Sequence, residues 1–334
     1  MVRVREWEPA KAPGHDLEAW RRLYNEMLAA DLPGEPHWRA ERLREYFAVT
    51  MPGEARADWF LEDDSGEVIG VAGLRLLDEI GVMEIYVHPG RRRAGAGRTL
   101  AAACVRRAYE SGRSVLGAEV AAGTPGTLFY PSLGFRLSSV EERNLLDLAT
   151  VDWGRMREHA TRTGSGYTIE YFPGGPPDDL LPAYALAKQV VQGEDDDIEL
   201  SPSSYSAGRL ADSLAVLHAR GLTPYVVCAV HNRSGAIAGL TEVVAPAQHP
   251  ERADQYDTVV VPAHRGYGLG LAMKARMLLE LRSAVPELRD VQTWTAMENE
   301  PMARVNAELG FQPDRQWYEY EADVAELARS LRIE

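Results

Sequence analysis

The chain has 334 residues, a length that favours two domains over one. Hydrophobic residues make up 45%, enough for two cores, and the formal net charge of −14 argues against binding to nucleic acid or to an anionic membrane. No apolar run reaches transmembrane length, and the charged start MVRVREWEPAK is not typical of a signal peptide, so we expect a cytoplasmic protein without membrane partners.

Helices and strands alternate in the prediction for the first half. Apolar residues at helical spacing between Leu17 and Leu28 predict a first helix, and a second spans roughly 39–49. The stretches ADWFLED and VIGVAGLRLL flank the turn DSGE and predict a hairpin, and VMEIYV predicts the next strand. A Gly-rich turn, a helix over 97–109, the strand SVLGAEVA, a short helix before LGF and the strand RNLLDL complete the order.

The second half repeats this order, which indicates a duplicated unit. It begins near the predicted strand YTIEYF and ends with an amphipathic helix around Val324–Leu331. DSGEVIGVAGL corresponds to RSGAIAGLTEV, and LGF occurs at Leu133–Phe135 and again at Leu309–Phe311. We therefore expect an N-terminal domain over 1–150, a polar linker over 151–166 and a C-terminal domain over 167–334.

Each half contains a strand that runs into Arg-x-x-Gly-x-Gly and then into a helix. The second turn lies 173 positions after the first. Glycine lets backbone N–H groups approach a ligand closely, and a helix N-terminus favours an anion. The turn therefore predicts a pyrophosphate site. It is not a P-loop, because Gly-Lys-Ser/Thr is absent, and it lacks the third glycine of the dinucleotide fingerprint.

Both halves resemble the GNAT superfamily of acyl-CoA-dependent N-acetyltransferases. The resemblance rests on Val-x-Pro before each turn (Val87-His88-Pro89 and Val260-Val261-Pro262) and on FYPSLGF and VNAELGF after it. It implies an α/β fold with two tandem units. Each unit would have a mixed, mostly antiparallel central sheet, helices on both faces, and two strands that splay apart into an acyl-CoA cleft. The tandem arrangement resembles mycothiol synthase in architecture, and we do not carry over that enzyme's substrate.

The resemblance also implies that acetyl-CoA is a co-substrate held by both turns. The residues so assigned in the first half are Val87, Arg92, Arg93, Gly95 and Gly97, within a cationic cluster that includes Arg91 and Arg98. Those in the second half are Val260, Val261, Arg265, Gly266, Gly268 and Gly270, with Asn299 as a further contact. We expect no metal, because Cys104 and Cys228 lie in apolar runs without ligand spacing and are typical of buried thiols.

Acetyl transfer to an amine requires a group that accepts the ammonium proton and a group that protonates the leaving thiolate. Tyr130 matches the position at which many family members keep the proton donor. The second half has Asn306 there, so Tyr318 is an alternative donor. The base candidates are Glu84, Asp257 and Asp254, and the acidic run 193–199 is a candidate for attracting a cationic amine.

These features predict an N-acetyltransferase that acts on the primary amine of a small molecule, by direct attack in a ternary complex. A protein or peptide N-acetyltransferase is the alternative enzyme, and a non-catalytic acyl-CoA-binding sensor is the alternative of another class. The second turn has the more typical sequence, whereas Tyr130 lies in the first half, so which half is active stays open. A monomer and a homodimer are both compatible with the sequence.

Overall fold

The computed structural model describes residues 2–77, 79–192, 206–248 and 250–333. The chain folds into two compact units. Unit 1 consists of Met1–Glu141 with Gln316–Glu334, and unit 2 consists of Glu142–Arg315. Among the described helices, none is both long enough and apolar enough to cross a membrane.

The first half of the chain supplies most of unit 1. Its helices are α1 (Gly14–Asp31), α2 (Ala40–Ala48), α3 (Ala96–Glu110) and α4 (Gly126–Leu133). Its strands are β1 (Arg3–Trp7), β2 (Glu54–Glu62), β3 (Val68–Leu77), β4 (Ile80–Val87), β5 (Val115–Ala121) and β6 (Arg136–Asp147). A short 3-10 turn, Pro89–Arg91, connects β4 to the Gly-rich turn.

The second half begins with a helix inside the segment that we predict as a linker. Its helices are α5 (Trp153–Thr161), α6 (Leu181–Gln192), α7 (Ala207–Ala219), α8 (Leu269–Ala284), α9 (Glu300–Leu309) and α10 (Val324–Leu331). Its strands are β7 (Tyr167–Pro173), β8 (Leu222–His231), β9 (Ile237–Pro246), β10 (Arg252–Val260), β11 (Asp290–Ala296) and β12 (Gln312–Asp323).

Compact units and sequence repeats divide the chain differently. The end of β12 and all of α10 belong to unit 1, whereas the end of β6 and all of α5 belong to unit 2. The physical reason is strand pairing, because residues 317–323 of β12 pair with β5. The boundary near 150–166 stays a prediction about the repeat, since compactness and repetition are separate criteria.

The sheet of unit 1 has the order β1-β2-β3-β4-β5-β12-β6. The pairings β1–β2, β2–β3, β3–β4 and β5–β12 are antiparallel, and β4–β5 is parallel. β4 and β5 pair only from Ile80 to Val82, opposite Val115 to Gly117, although β4 continues to Val87 and β5 to Ala121. The two strands therefore splay apart towards the Gly-rich turn, as the resemblance implies.

The sheet of unit 2 follows the same plan, with the order β12-β6-β11-β10-β9-β8-β7. β10 and β11 are parallel and pair over Arg252–Gln255 and Asp290–Thr293 only. A register shift between Gln255 and Thr258 interrupts the pairing of β10 with β9. Helices cover both faces in each unit, which confirms the mixed α/β fold with a splayed pair of strands.

Alternation along the strands separates two apolar layers in unit 1. Val71 of β3 packs with Trp20 of α1 and Phe47 of α2, whereas its neighbours Ala72 and Leu74 pack on α3 and α10. In unit 2, α6 and α7 cover one face, and α5 and α8 cover the other. Both cysteines are free and buried, as the sequence predicts.

The LGF motif ends a helix in each unit. Gly134 (φ 109°) and Gly310 (φ 96°) adopt the left-handed conformation after α4 and α9, where a side chain would be strained. The next residue donates its backbone N–H back to the carbonyl of Tyr130 in unit 1 (3.2 Å) and of Asn306 in unit 2 (3.0 Å). The motif therefore fixes the position of the candidate donor Tyr130.

The contribution of α10 to unit 1 generates a first prediction. Leu327 is 2% exposed and packs in the core that contains α3. Leu327→Ala should lower the free energy of unfolding by about 2–5 kcal/mol, because it removes buried methyl groups and leaves a cavity. Hydrogen–deuterium exchange of peptides from α3 should become faster. Leu137→Ala is the matched control, because Leu137 is 53% exposed, and unchanged exchange in α3 after Leu327→Ala would contradict the assignment.

Candidate active site

Unit 1 encloses a cavity of about 670 Å³ at the point where β4 and β5 separate. Its walls come from α1, β4, the Gly-rich turn, α3, β5, α4 and β12. The turn, Tyr24, Tyr130 and Trp317 line this cavity, and we call its inner end the part where Glu84 and Glu119 lie, just beyond the paired stretch of β4 and β5. The cavity therefore joins the predicted anion site to the predicted donor Tyr130 and to one of the predicted bases, Glu84.

The turn in unit 1 alternates left-handed and ordinary backbone conformations. Arg93 (φ 65°) and Gly95 (φ 87°) are left-handed, and α3 begins at the next residue, Ala96. A non-glycine residue at positive φ costs on the order of 1–3 kcal/mol and is found disproportionately at functional sites. A Cβ added at Gly97 would lie 3.0 Å from the ring of Phe129, so a larger residue there would have to displace that ring.

The predicted arginine cluster divides into two pairs of different character. Arg92 donates to both oxygens of Asp31 (2.8 and 2.7 Å) and to the Val87 carbonyl (3.1 Å), and Arg91 pairs with Asp63 and Glu67. Arg93 and Arg98 line the cavity, are exposed, and form no ion pair with any residue that the structure describes. Arg93 and Arg98 therefore suit anion binding, whereas Arg92 holds the turn against α1.

Tyr130 lies in α4 with its side chain buried, and it forms part of the cavity wall. Burial raises the pKa of its phenol well above the ordinary value, and nearby Cys104 and Glu84 act in the same direction. A backbone hydrogen bond with Ile85 of β4 opposes that rise. Tyr130 is therefore protonated at neutral pH and lies beside the backbone of the splayed strand.

Glu84 of β4 faces the inner end of the cavity and is a partly exposed carboxylate. Arg75 of β3 donates to it at 3.1 Å. Tyr24 of α1 lines the same cavity as Glu84. Burial raises the pKa of the Tyr24 phenol, and the charge of Glu84 acts in the same direction. The ring of Tyr24 packs edge-on against Tyr86 with centroids 4.9 Å apart.

Glu119 of β5 is a cavity carboxylate that our sequence analysis missed. It is accessible from the cavity although protein surrounds it, and burial raises its pKa. Arg75 lowers that pKa, while Glu84 and the cross-strand neighbour Glu319 raise it. A sequence signal was present, since Glu119 is the sole charged residue in the strand VLGAEVA.

The turn in unit 2 has the same backbone but different surroundings. Gly266 (φ 83°) and Gly268 (φ 74°) take the places of Arg93 and Gly95, and Arg265 donates to the Val260 carbonyl as Arg92 does to Val87. A Cβ built at Gly268 would lie 3.3 Å from the Arg162 carbonyl, whereas one at Gly95 would meet nothing within 4 Å. A carbonyl oxygen therefore lies beside the second turn.

Comparison with known proteins agrees with this geometry. A family model for the acetyltransferase (GNAT) family matches residues 17–135. A tandem GNAT protein from the clavulanic acid biosynthesis pathway is 26% identical, with a TM-score of 0.83 over 97% of this chain and 99% of that one. Residues 17–135 therefore match the GNAT family of acetyltransferases, and the whole chain shares the fold of a tandem GNAT protein. The chain has the tandem architecture of a GNAT acyltransferase, and acetyl-CoA is the acyl donor that the family match implies.

A GCN5-related N-acetyltransferase from Sphaerobacter thermophilus shares the fold. Its TM-score is 0.70 at 19% identity, over 97% of this chain and 96% of that one. A search of curated proteins finds no match. Among the described residues, no group of three His, Cys, Asp or Glu side chains could hold a metal ion.

In unit 2, a network of buried polar side chains occupies the place that Tyr130 has in unit 1. Asn306 is the counterpart of Tyr130, and its amide donates to Thr295 (3.0 Å) and accepts from Lys274 (2.7 Å). All three side chains are buried. Burial lowers the pKa of the Lys274 amine from 10.5 to about 7.

The remaining predicted residues lie at separate places. Asp257 of β10 accepts from Lys188, and Asp254 accepts from Gln292 (2.5 Å) on the paired stretch of β10 and β11, before the splay. Tyr318 belongs to unit 1 and packs against the core of that unit. It therefore lies outside the unit that carries the second turn.

Asn299 caps α9 by accepting from the Met302 N–H (3.2 Å), and Val261 donates its N–H to Ala238 at the start of the second turn. The acidic run 193–199 lies outside the described residues.

Lys274 generates a prediction about pH. Between about 7 and 10.5 the unfolded chain holds a proton that the folded amine has released, so the stability of the wild type rises with pH in this window. The slope is at most about 1.4 kcal/mol per pH unit. Lys274→Met removes this contribution. The unfolding free energy of Lys274→Met minus that of the wild type, from urea titrations, should decrease from pH 7 to pH 9.

Lys11→Met is the control, because Lys11 is an exposed lysine paired only with its helical neighbour Glu8. Its difference from the wild type should stay constant over the same pH range. Parallel pH curves for Lys274→Met and the wild type would show that Lys274 titrates normally.

Proposed function

We propose that unit 1 transfers the acetyl group of acetyl-CoA to the primary amine of a small molecule, by direct attack in a ternary complex. The observation that carries this proposal is the single cavity that joins the Gly-rich turn to Tyr130 and Glu119. The more typical sequence of the second turn favours unit 2 as the acetyl-CoA site, but the cavity belongs to unit 1.

The residues of the cavity fit acetyl-CoA, which supplies the acyl group as an activated thioester. Backbone N–H groups at the start of α3 and the side chains of Arg93 and Arg98 suit the pyrophosphate. Beyond Val82, no described strand pairs with the edge of β4 that faces β5, so its backbone can pair with the amides of the pantetheine arm. Acetyl-CoA bound in this way runs along the cavity from its phosphates at the turn to its thioester near Tyr130.

The acceptor amine must lose a proton before it attacks. An alkylammonium has a pKa of about 10, so deprotonation at pH 7 costs about 4 kcal/mol. Glu119 is the better base of the two cavity carboxylates, because its pKa is raised and no described residue donates a hydrogen bond to it. Glu84, held by Arg75, adds a second negative charge that orients the ammonium.

Tyr130 is the group that returns a proton to the departing thiolate. Its raised pKa keeps the phenol protonated, and α4 holds the hydroxyl inside the cavity. The bond that forms joins the amine nitrogen to the carbonyl carbon, and the carbon–sulfur bond breaks. Before the attack, the first ammonium proton goes to Glu119. As the thiolate leaves, the phenol proton goes to sulfur, and the second nitrogen proton, released when the amide forms, returns to the phenolate of Tyr130.

The inner end of the cavity indicates the class of acceptor. Two carboxylates, Glu84 and Glu119, lie among the aromatic side chains of Tyr24, Tyr86 and Trp317. Carboxylates attract an ammonium, and aromatic faces favour cations and apolar groups. We therefore propose a small cationic amine with an apolar body.

Thiol release from acetyl-CoA across a panel of amines and peptides tests this function. Tyr130→Phe should lower kcat by about 10²-fold with little change in KM for acetyl-CoA, because it removes the proton donor alone. Tyr320→Phe is the matched control, since its ring stacks on Tyr130 at 6.2 Å and its hydroxyl contacts Thr127 outside the cavity wall.

Equal rates for Tyr130→Phe and the wild type would exclude Tyr130 as the donor. Activity on peptides alone would favour a protein substrate. Tight binding of CoA without thiol release on any acceptor would favour the sensor.

Glu119 generates a prediction about the pH profile. Because its pKa is raised, kcat/KM should fall with acidification at a higher pH than an ordinary carboxyl of pKa 4.5 would give. Glu119→Gln should remove this acid limb and lower kcat/KM by about 10²-fold or more. Glu319→Gln removes a neighbouring negative charge, so it should move the limb to lower pH. A limb that stays in place in both variants would assign it to another group.

A further inference from the structure

Unit 2 contains a lysine held between two carboxylates. The Lys188 ammonium on α6 donates to Glu242 of β9 and to Asp257 of β10, each at 2.8 Å. The lysine side chain is 9% exposed, and that of Glu242 is 16% exposed. One turn earlier, the hydroxyl of Tyr184 donates to the other oxygen of Glu242.

The position of this lysine corresponds to the inner end of the cavity in unit 1. Asp257 is the counterpart of Glu84, 173 positions later. α6 corresponds to α1 as the helix that covers this face, and α1 brings Tyr24 to Glu84. In unit 1, Tyr24 and Glu84 line an open space. The ammonium group of Lys188 therefore occupies the corresponding place in unit 2.

Glu242 is a carboxylate that only unit 2 has at this position. Its counterpart in the repeat is Gly73, where an added Cβ would meet Asp58 at 3.1 Å and Arg56 at 3.3 Å. Burial raises the pKa of Glu242, and the Lys188 ammonium is the main influence that lowers it. Glu242 therefore depends on the cation beside it, which Asp257 also contacts.

We propose that the space between Glu242 and Asp257 is a binding site for a primary alkylammonium, and that Lys188 is its built-in occupant. This inference rests on the proposed function, because it takes the inner end of the cavity in unit 1 as the acceptor site. While Lys188 is in place, unit 2 takes no amine, and acceptor selection belongs to unit 1.

Two other features of unit 2 agree with an acceptor site closed to substrate. The position of the proton donor Tyr130 is taken by Asn306, which Lys274 and Thr295 hold by hydrogen bonds. The second Gly-rich turn lies beside the Arg162 carbonyl, an oxygen that would repel a phosphate.

Chemical rescue tests the site. Lys188→Ala deletes the atoms of n-propylammonium and leaves Glu242 and Asp257 in place. The variant should melt at a lower temperature than the wild type, and n-propylammonium chloride should raise its Tm by on the order of 5 °C at pH 8. The wild type, with the site filled, should gain no such increase. The measurement is made without acetyl-CoA.

Four controls separate the site from general effects of salt, cosolvent or the loss of a lysine. 1-Propanol has the same chain without the charge, and tetramethylammonium chloride has the charge without an N–H donor, so neither should rescue Lys188→Ala. Lys188→Met fills the space with apolar atoms and should not respond to n-propylammonium. Lys11→Ala loses an exposed lysine and should not respond either.

Equal shifts with propanol and propylammonium, or equal shifts in Lys188→Ala and the wild type, would overturn the proposal. If Lys188→Ala is recovered unfolded, its refolding yield with and without n-propylammonium gives the same comparison. If n-propylammonium fails to rescue Lys188→Ala, the thiol-release result of the wild type with the amine panel still stands. Failure of thiol release leaves the binding result unaffected, so the two proposals fail separately.

Discussion

The early end of the pairing between β4 and β5 is the constraint on which the site in unit 1 depends. Only three residues of each strand are paired, and beyond Val82 the strands diverge. Buried backbone groups need hydrogen-bond partners, so diverging strands call for a ligand or water between them. The same divergence lets Glu84 on one strand and Glu119 on the other face a common space, with Tyr130 beside the first.

The two units show how one scaffold holds different polar groups. The backbone of the turn, the LGF cap and the splay are common to both. Unit 1 has the phenol of Tyr130 and an open inner end, whereas unit 2 has Lys274 with Asn306, and Lys188 with two carboxylates. The two units thus differ in the side chains at a few positions. The polar groups of unit 2 bond to one another, whereas unit 1 keeps an open space beside Tyr130.

Local features of this fold could be predicted from the sequence, and long-range ones could not. Helix spacing, the hairpin and the glycine turns depend on neighbouring residues, so α1, β2–β3 and α3 follow the prediction. The pairing of Arg92 with Asp31 joins positions 61 residues apart, and local sequence predicts an anion ligand instead. Glu119 was missed because its accessibility follows from the splay, while a single acid in a buried strand is only a weak signal.

The division of β6 and β12 between the units has a consequence for the order of folding during translation. Unit 2 ends at Arg315, so all its residues have left the ribosome before those that complete unit 1. Trp317 of the cavity wall and Leu327 of the core belong to that late segment. Domains fold as units during synthesis, so unit 1 cannot be completed until unit 2 has been translated. Until then, the sheet of unit 1 has an exposed edge.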